Sequence, residues 1–172
     1  RPALRRPLGF GVVSGVAFWL LATLSLNIYE QGTRLPDISL RNAAGETIKL
    51  SEYQGGPLVI NLWATWCPPC RREMPVLENA QQQRPDLTFL FVNQAESMQS
   101  VATFLETQGL SLNNVLFDRG GRLGQAVGSM ALPTTLFYSP DGRLLTSHLG
   151  ELSNASLARA LETFDTSPSS PN

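Results

Sequence analysis

The chain has 172 residues, which is enough for one ordinary domain and a short additional segment. Hydrophobic residues make up 42% of the sequence and charged residues 16%, and this composition excludes a wholly disordered chain. The formal net charge is −1, so no large basic surface for binding nucleic acid is expected.

The first predicted element is a membrane-spanning helix over residues 8–28. These 21 residues carry no charge, and a helix of that length crosses the hydrocarbon core of a bilayer. Arg1, Arg5 and Arg6 precede it, so the positive-inside rule places residues 1–7 in the cytoplasm and the rest of the chain outside it. A cleaved signal peptide is the main alternative, although its apolar region is usually shorter and ends in a small-x-small site. A buried core helix is disfavoured because the segment has no polar face.

The rest of the chain divides into a linker over residues 29–36, a domain over residues 37–165 and a disordered tail over residues 166–172. All 14 acidic residues and ten of the 13 basic residues follow the predicted anchor, so the exported part has a net charge of −4. This negative charge argues against docking on an anionic membrane surface.

Strands alternate with helices through the predicted domain. In chain order, the pattern predicts a hairpin of residues 38–40 and 47–50, a buried strand over 58–63, a helix over 68–84, a strand over 87–93, a helix from Ser97 to Gly109, a short strand over 115–117, a short helix over 122–127, a hairpin of 134–138 and 143–149, and a helix over 152–164. Alternation favours parallel pairing and the late hairpin adds antiparallel pairing, so the order predicts an α/β sandwich with a mixed central sheet.

The residues Trp66-Cys67-Pro68-Pro69-Cys70 follow the buried strand and begin the next helix. The unpaired N–H groups and the dipole at a helix N-terminus stabilise a thiolate, so the pKa of Cys67 is expected to fall. Pro68 and Pro69 fit the first turn, where their missing N–H groups have no helical partner. We expect Cys67 at the exposed start of the helix and Cys70 more covered, so that Cys67 attacks a disulfide and Cys70 resolves the mixed disulfide.

Two other interpretations of the cysteine pair remain open. A structural zinc site needs four ligands, whereas the two cysteines and His148, the single histidine of the chain, supply three at best. A purely structural disulfide between Cys67 and Cys70 would close a very short loop and contribute little stability.

Two further residues are candidates for the site. Glu73 lies one helical turn beyond Cys70 and either couples to the titration of the thiols or is an ordinary solvated glutamate. Pro133 directly precedes the strand over residues 134–138, and its peptide bond with Leu132 is either cis or trans.

The segment from Asn61 to Pro75 (NLWATWCPPCRREMP) resembles the active-site signature of the membrane-anchored TlpA/ResA-like thiol–disulfide oxidoreductases, a branch of the thioredoxin superfamily. Other similar segments are Leu132-Pro-Thr-Thr135 with Pro140-Asp-Gly142, and Val92-Asn93 with Glu96-Ser97. The resemblance covers residues 35–165. It implies a thioredoxin-like three-layer α/β sandwich with a mixed central sheet, an N-terminal β-hairpin and an inserted βα unit.

The resemblance also implies roles for individual residues. Cys67 would be the attacking thiol, Cys70 the resolving thiol and Glu73 the acidic residue near both sulfurs. Pro133 would be the cis-proline that faces the disulfide and would belong to the catalytic set. The substrate-binding residues would be Leu132 beside the substrate backbone, the aromatic residue Trp66 (for which simple packing is the alternative), and Pro68 and Pro69. The Pro-Pro dipeptide departs from several subgroups of the family, so the redox potential and the partner stay open.

The function implied by the resemblance is reduction of disulfides in exported proteins, such as apocytochrome c or copper-site assembly factors. The chain would work as a monomer in the bacterial inner membrane, with its catalytic domain on the periplasmic side and a membrane thiol as electron donor. Its redox centre would be the Cys67–Cys70 disulfide, without a separate cofactor or metal. Alternatives are net oxidation of substrates, a metal or haem chaperone that uses the same cysteines, and a thiol peroxidase, for which a C-x-x-C pair is not needed.

Overall fold

The computed structural model describes residues 15–25 and 34–166, and these two ranges belong to separate units divided after residue 33. In the first unit, residues 15–25 form a helix, α1. Among the residues described, no helix is both long and apolar enough to cross a membrane. The other residues of the predicted anchor over 8–28, and the predicted tail beyond residue 166, lie outside the described residues.

The second unit alternates strands and helices in the predicted order. Its elements are β1 (Ser39–Asn42), β2 (Thr47–Lys49), a 3-10 helix (Leu50–Tyr53), β3 (Leu58–Trp63), α2 (Pro68–Gln83), β4 (Thr88–Gln94), α3 (Met98–Gln108), β5 (Val115–Asp118), α4 (Arg122–Ala126), β6 (Thr134–Tyr138), β7 (Leu144–Leu149) and α5 (Asn154–Thr166). The 3-10 helix was not predicted. The last helix begins two residues later than predicted, where the hydroxyl of Ser153 accepts a hydrogen bond from the backbone N–H of Ser156.

The seven strands form one sheet in the order β2-β1-β5-β4-β3-β6-β7. β3, β4 and β5 are parallel neighbours, and the other pairs are antiparallel. The parallel pairs follow from the helical crossovers α2 and α3, which return the chain to the same end of the sheet. The prediction of a mixed central sheet is confirmed.

Helices cover both faces of this sheet. On one face α2, α3 and α5 contribute Met74, Val101 and Leu157 to a hydrophobic cluster. On the other face Leu50 of the 3-10 helix and Leu123 of α4 belong to a second cluster. The arrangement is the three-layer thioredoxin-like sandwich that the resemblance implies.

The folded unit starts inside the segment that was predicted to be a linker. Arg34 forms an isolated β-bridge with Arg143, and Leu35 is buried. The backbone N–H of Leu35 donates to the carbonyl oxygen of Gly142 at 2.8 Å. Residues 34 and 35 therefore pack as part of the domain.

The register between β3 and β6 decides where the site forms. All six residues of β3 are buried, and Leu62 near its end pairs with Thr134, the first residue of β6. Because these strands are antiparallel, the chain that leaves β3 and the chain that enters β6 lie at the same edge of the sheet. This edge carries Cys67, at the start of α2, and Pro133.

Candidate active site

A disulfide joins Cys67 and Cys70 at the start of α2, with their Cα atoms 5.3 Å apart. Cys67 is the N-cap of the helix, and its Sγ accepts a hydrogen bond from the backbone N–H of Cys70 at 3.3 Å. Pro68 and Pro69 occupy the first two helical positions as predicted. The expectation that Cys67 is exposed is wrong for this disulfide form, because Cys67 belongs to the buried hydrophobic cluster. Cys67 is nevertheless less covered than Cys70, with 3% of its surface exposed against 0%.

The peptide bond between Leu132 and Pro133 is cis. Pro133 is buried, and its carbonyl oxygen accepts a hydrogen bond from the backbone N–H of Gly150 at 2.9 Å. Leu132 is half-buried and contacts both hydrophobic clusters. This loop therefore has the cis form that the resemblance implies.

Glu73 is completely buried on the inner side of α2, so the alternative of an ordinary solvated glutamate is wrong. One carboxylate oxygen, Oε1, accepts a hydrogen bond from Asn61 Nδ2 at 2.8 Å. The other, Oε2, accepts one from the backbone N–H of Leu152 at 2.8 Å. Burial raises the pKa of the Glu73 carboxyl from 4.5 to about 7. The bonds from Leu152 and Asn61 oppose this rise, and the negative charge of Glu151 adds to it.

The partners of Glu73 were missed by sequence reasoning. Asn61 lies in the middle of β3 and is 1% exposed, and its Nδ2 also donates to Thr135 Oγ1 at 3.0 Å. A lone amide in an otherwise apolar, buried strand is the signal that was available, because a buried polar side chain requires a hydrogen-bond partner. Thr135 and Leu152 carry no such signal, since they meet Glu73 only through the fold.

The residues expected to face a substrate differ in exposure. Trp66 has 68% of its surface exposed, so the alternative that it merely packs inside the fold is wrong. Pro68 is exposed and Pro69 is half-buried. These three residues flank Cys67 along the chain, and Leu132 packs against the hydrophobic cluster that contains it.

A second carboxylate contacts the turn before Cys67. Glu96, in the connection from β4 to α3, accepts hydrogen bonds from Thr65 and Asn93. Sequence reasoning noted Glu96 only as part of a resemblance, because nothing local indicates that it reaches β3.

Comparison with known proteins identifies the family. The family model for redoxin matches residues 30–161. The chain belongs to the redoxin family. This redoxin is 30% identical over 157 residues to the thiol-disulfide oxidoreductase ResA of Geobacillus thermodenitrificans, a match that covers 84% of the chain and 90% of the relative. It is also 30% identical over 137 residues to the thioredoxin-like protein YneN of Bacillus subtilis, covering 77% and 79%.

A solved structure supports the same assignment. The thiol:disulfide interchange protein of the thioredoxin family from Chlorobium tepidum matches with a TM-score of 0.66 and 25% identity, over 77% of this redoxin and 95% of that chain. The relatives and the Cys67–Cys70 disulfide at the start of α2 together make this redoxin a protein thiol–disulfide oxidoreductase. Over residues 15–25 and 34–166, no three His, Cys, Asp or Glu side chains are grouped to hold a metal ion.

Proposed function

We propose that this redoxin is a reductase that acts outside the cytoplasm on disulfides of exported proteins while anchored in the bacterial inner membrane. The observation that carries the reducing direction is the buried carboxyl of Glu73 behind the cysteine pair. It lies one helical turn beyond Cys70, and neither side chain has exposed surface.

A buried carboxylate in this position opposes thiolate formation. A second negative charge in a poorly solvated region raises the pKa of a neighbouring thiol. Among C-x-x-C proteins, the strong oxidants owe their high redox potential to a stabilised reduced form. Because a carboxylate beside the pair stabilises the thiolate form less, we expect the disulfide to be favoured at equilibrium and the reduced protein to donate electrons readily.

The reaction begins with the thiolate of Cys67, which attacks one sulfur of a substrate disulfide. A bond forms between that sulfur and Cys67, and the second substrate sulfur leaves as a thiolate that takes a proton from water. The carboxylate of Glu73 then accepts the thiol proton of Cys70, directly or through water. The thiolate of Cys70 attacks Cys67 and releases the first substrate sulfur, which also becomes a thiol. Two electrons have passed to the substrate, and the Cys67–Cys70 disulfide remains.

The other residues of the sheet edge hold the substrate. Leu132 contacts its backbone, the buried Pro133 faces the disulfide, and the exposed ring of Trp66 covers its apolar side chains. Pro68 and Pro69 keep the first turn of α2 free of N–H groups that would need partners. No separate cofactor takes part in this scheme, because the electrons are carried by the cysteines.

The compartment is inferred from the N-terminal sequence. Residues 8–28 carry no charge and Arg1, Arg5 and Arg6 precede them, so the domain would face the periplasm. A membrane protein with a thiol pair would supply the electrons, since a domain outside the cytoplasm does not meet cytoplasmic reductants. Apocytochrome c and copper-site assembly factors, whose cysteines must be reduced before they bind their cofactors, are the substrate classes proposed.

Trapping tests this proposal. With Cys70→Ala in the full chain, the mixed disulfide at Cys67 cannot be resolved, so exported proteins with paired cysteines should accumulate as adducts. Cys67→Ala/Cys70→Ala is the control and should trap nothing. The wild-type potential, measured against glutathione, should lie nearer the about −270 mV of thioredoxin than the about −120 mV of DsbA. A potential at the oxidising end would reverse the direction, and adducts with cytoplasmic proteins alone would contradict the compartment.

A further inference from the structure

The connection between β4 and α3 reaches across the sheet edge to the active-site turn. Glu96 Oε2 accepts a hydrogen bond from the backbone N–H of Thr65 at 2.8 Å, and Glu96 Oε1 accepts one from Thr65 Oγ1. Glu96 Oε2 also accepts a bond from Asn93 Nδ2 at 2.6 Å, and Asn93 is completely buried in β4. One carboxylate thus joins the end of β4 to the residue that lies two positions before Cys67.

The backbone beside Glu96 is unusual. Ala95 has a φ of +62°, in the left-handed region that residues with a Cβ atom rarely adopt. Its N–H donates to the carbonyl oxygen of Asp118 at 3.1 Å, which ties this turn to β5. Backbone strain of this kind persists only where surrounding contacts hold it, and it is concentrated at functional sites.

The turn that Glu96 binds is short, with its first and last residues packed in the hydrophobic cluster beside α2. It runs from Ala64 to Cys67 and is closed by a bond from the N–H of Cys67 to the carbonyl oxygen of Ala64 at 3.3 Å. Across residues 34–166, no other side chain forms a hydrogen bond to Ala64, Thr65 or Trp66. The position of this turn sets the direction of the exposed ring of Trp66 and of the backbone that carries the sulfur of Cys67.

We propose that Glu96 is a positioning residue for thiol–disulfide exchange: through Thr65 it fixes the turn that presents Cys67 and Trp66 to a protein disulfide. Glu96 does not touch the reacting sulfurs in this scheme. It acts by holding the attacking group in a reactive geometry, and loss of such alignment slows a reaction without changing its chemistry. The proposal rests on Cys67 as the attacking thiol of the proposed function, but not on the direction of electron flow or the compartment.

The matched variants are Glu96→Gln, Thr65→Val, Thr65→Ser and Glu106→Gln. Glu96→Gln keeps the size of the side chain and removes the negative charge. Its amide oxygen can still accept from the two N–H donors, while its NH₂ group can bond the Thr65 hydroxyl only by making that hydroxyl the acceptor. Thr65→Val removes only the hydroxyl donor, and Thr65→Ser keeps it. Glu106→Gln is the control, because it removes the same charge from an exposed position on α3.

Exchange is measured with the full chain in both directions, from the reduced protein to insulin and from dithiothreitol to the oxidised protein. We expect Glu96→Gln to slow both reactions about tenfold, because hydrogen bonds to a charged acceptor are replaced by weaker bonds to a neutral one. Thr65→Val should slow exchange less than Glu96→Gln does, whereas Thr65→Ser and Glu106→Gln should keep the wild-type rates. The double variant Glu96→Gln/Thr65→Val should be slowed by clearly less than the product of the two single effects, because both substitutions weaken the same contact.

A merely structural role would lower the urea midpoint and leave the exchange rates unchanged under conditions where the variants stay folded. That result would overturn the proposal. So would a double variant whose rate reduction equals the product of the two single reductions. Exchange that survives Cys67→Ser would refute the assignment of the attacking thiol instead, so the two failures are distinguishable.

Discussion

Two neighbouring strands each place an asparagine against a glutamate beside the disulfide, and the two pairs differ in burial. Asn61 of β3 donates to Glu73, which has no exposed surface. Asn93 of β4 donates to Glu96, which is half-buried. The same type of hydrogen bond therefore reaches two different acids. Glu73 is removed from water, whereas Glu96 holds the turn before Cys67.

The difference teaches that burial, and not the hydrogen-bond partner, decides what each acid does. Desolvation penalises the charged form of Glu73 so strongly that two donated bonds do not restore its ordinary pKa. Such a group exchanges its proton near neutral pH, as the resolving step requires. Glu96 is bound by donors on two different chain segments, which suits an acid that holds a turn in place.

The largest effect is expected on the stability of the oxidised protein. The folded pKa of Glu73 lies above its ordinary value of 4.5, at about 7, so its contribution to stability is complete below pH 4.5 and is lost as the pH rises to 7. The lost stability amounts to about 3 kcal/mol. Glu73→Gln does not ionise and should lack this loss. Urea unfolding between pH 4 and 8.5 measures it, with Glu106→Gln as the control.

If the stability of Glu73→Gln relative to the wild type does not rise between pH 4.5 and 7, Glu73 is not held in a desolvated state. The disulfide form is the right one to measure, because its cysteines do not titrate and the effect belongs to the carboxyl alone.

A smaller effect, about 100-fold, is expected on the rate at which the reduced Glu73→Gln protein reduces insulin at pH 7. The variant has no carboxylate to accept the thiol proton of Cys70, so its rate should depend more on hydroxide and rise more steeply with pH. Glu96→Gln should also be slower but keep the pH profile of the wild type, because it changes position and not proton transfer. Single-turnover rates from pH 6 to 8.5 test this. Superimposable profiles for Glu73→Gln and the wild type would remove Glu73 from the mechanism.

The smallest effects are opposite shifts of the pKa of Glu73. Asn61→Ala removes a bond that favours the carboxylate and should raise this pKa further, whereas Glu151→Gln removes a neighbouring negative charge and should lower it. Carboxyl NMR or infrared titration of the oxidised protein measures both shifts. Shifts of the same sign would mean that a rearrangement around Glu73 outweighs the two direct interactions.

Most of the architecture was predictable because its signals are local. The apolar run over residues 58–63, the Ser97 cap and the Gly109 end of α3 each depend on neighbouring residues, and all three appear in the structure as predicted. The 3-10 helix was not predicted, because the alternating pattern of residues 47–50 assigns Leu50 to the end of a strand. The exposure of Cys67 was misjudged because a helix start is usually open to solvent, whereas here the disulfide is drawn into the hydrophobic cluster.

The sequence by itself determined that a C-x-x-C pair begins a helix after a central strand, and this placement already indicated thiol–disulfide chemistry. Only the tertiary structure decided what surrounds that pair. Asn61, Thr65 and Leu152 meet their carboxylates across 12, 31 and 79 residues of chain, respectively. Such contacts depend on strand order and register, which bring distant segments to one edge of the sheet. Local patterns carry no record of that pairing, so the burial of Glu73 and the reach of Glu96 became visible only in the folded chain.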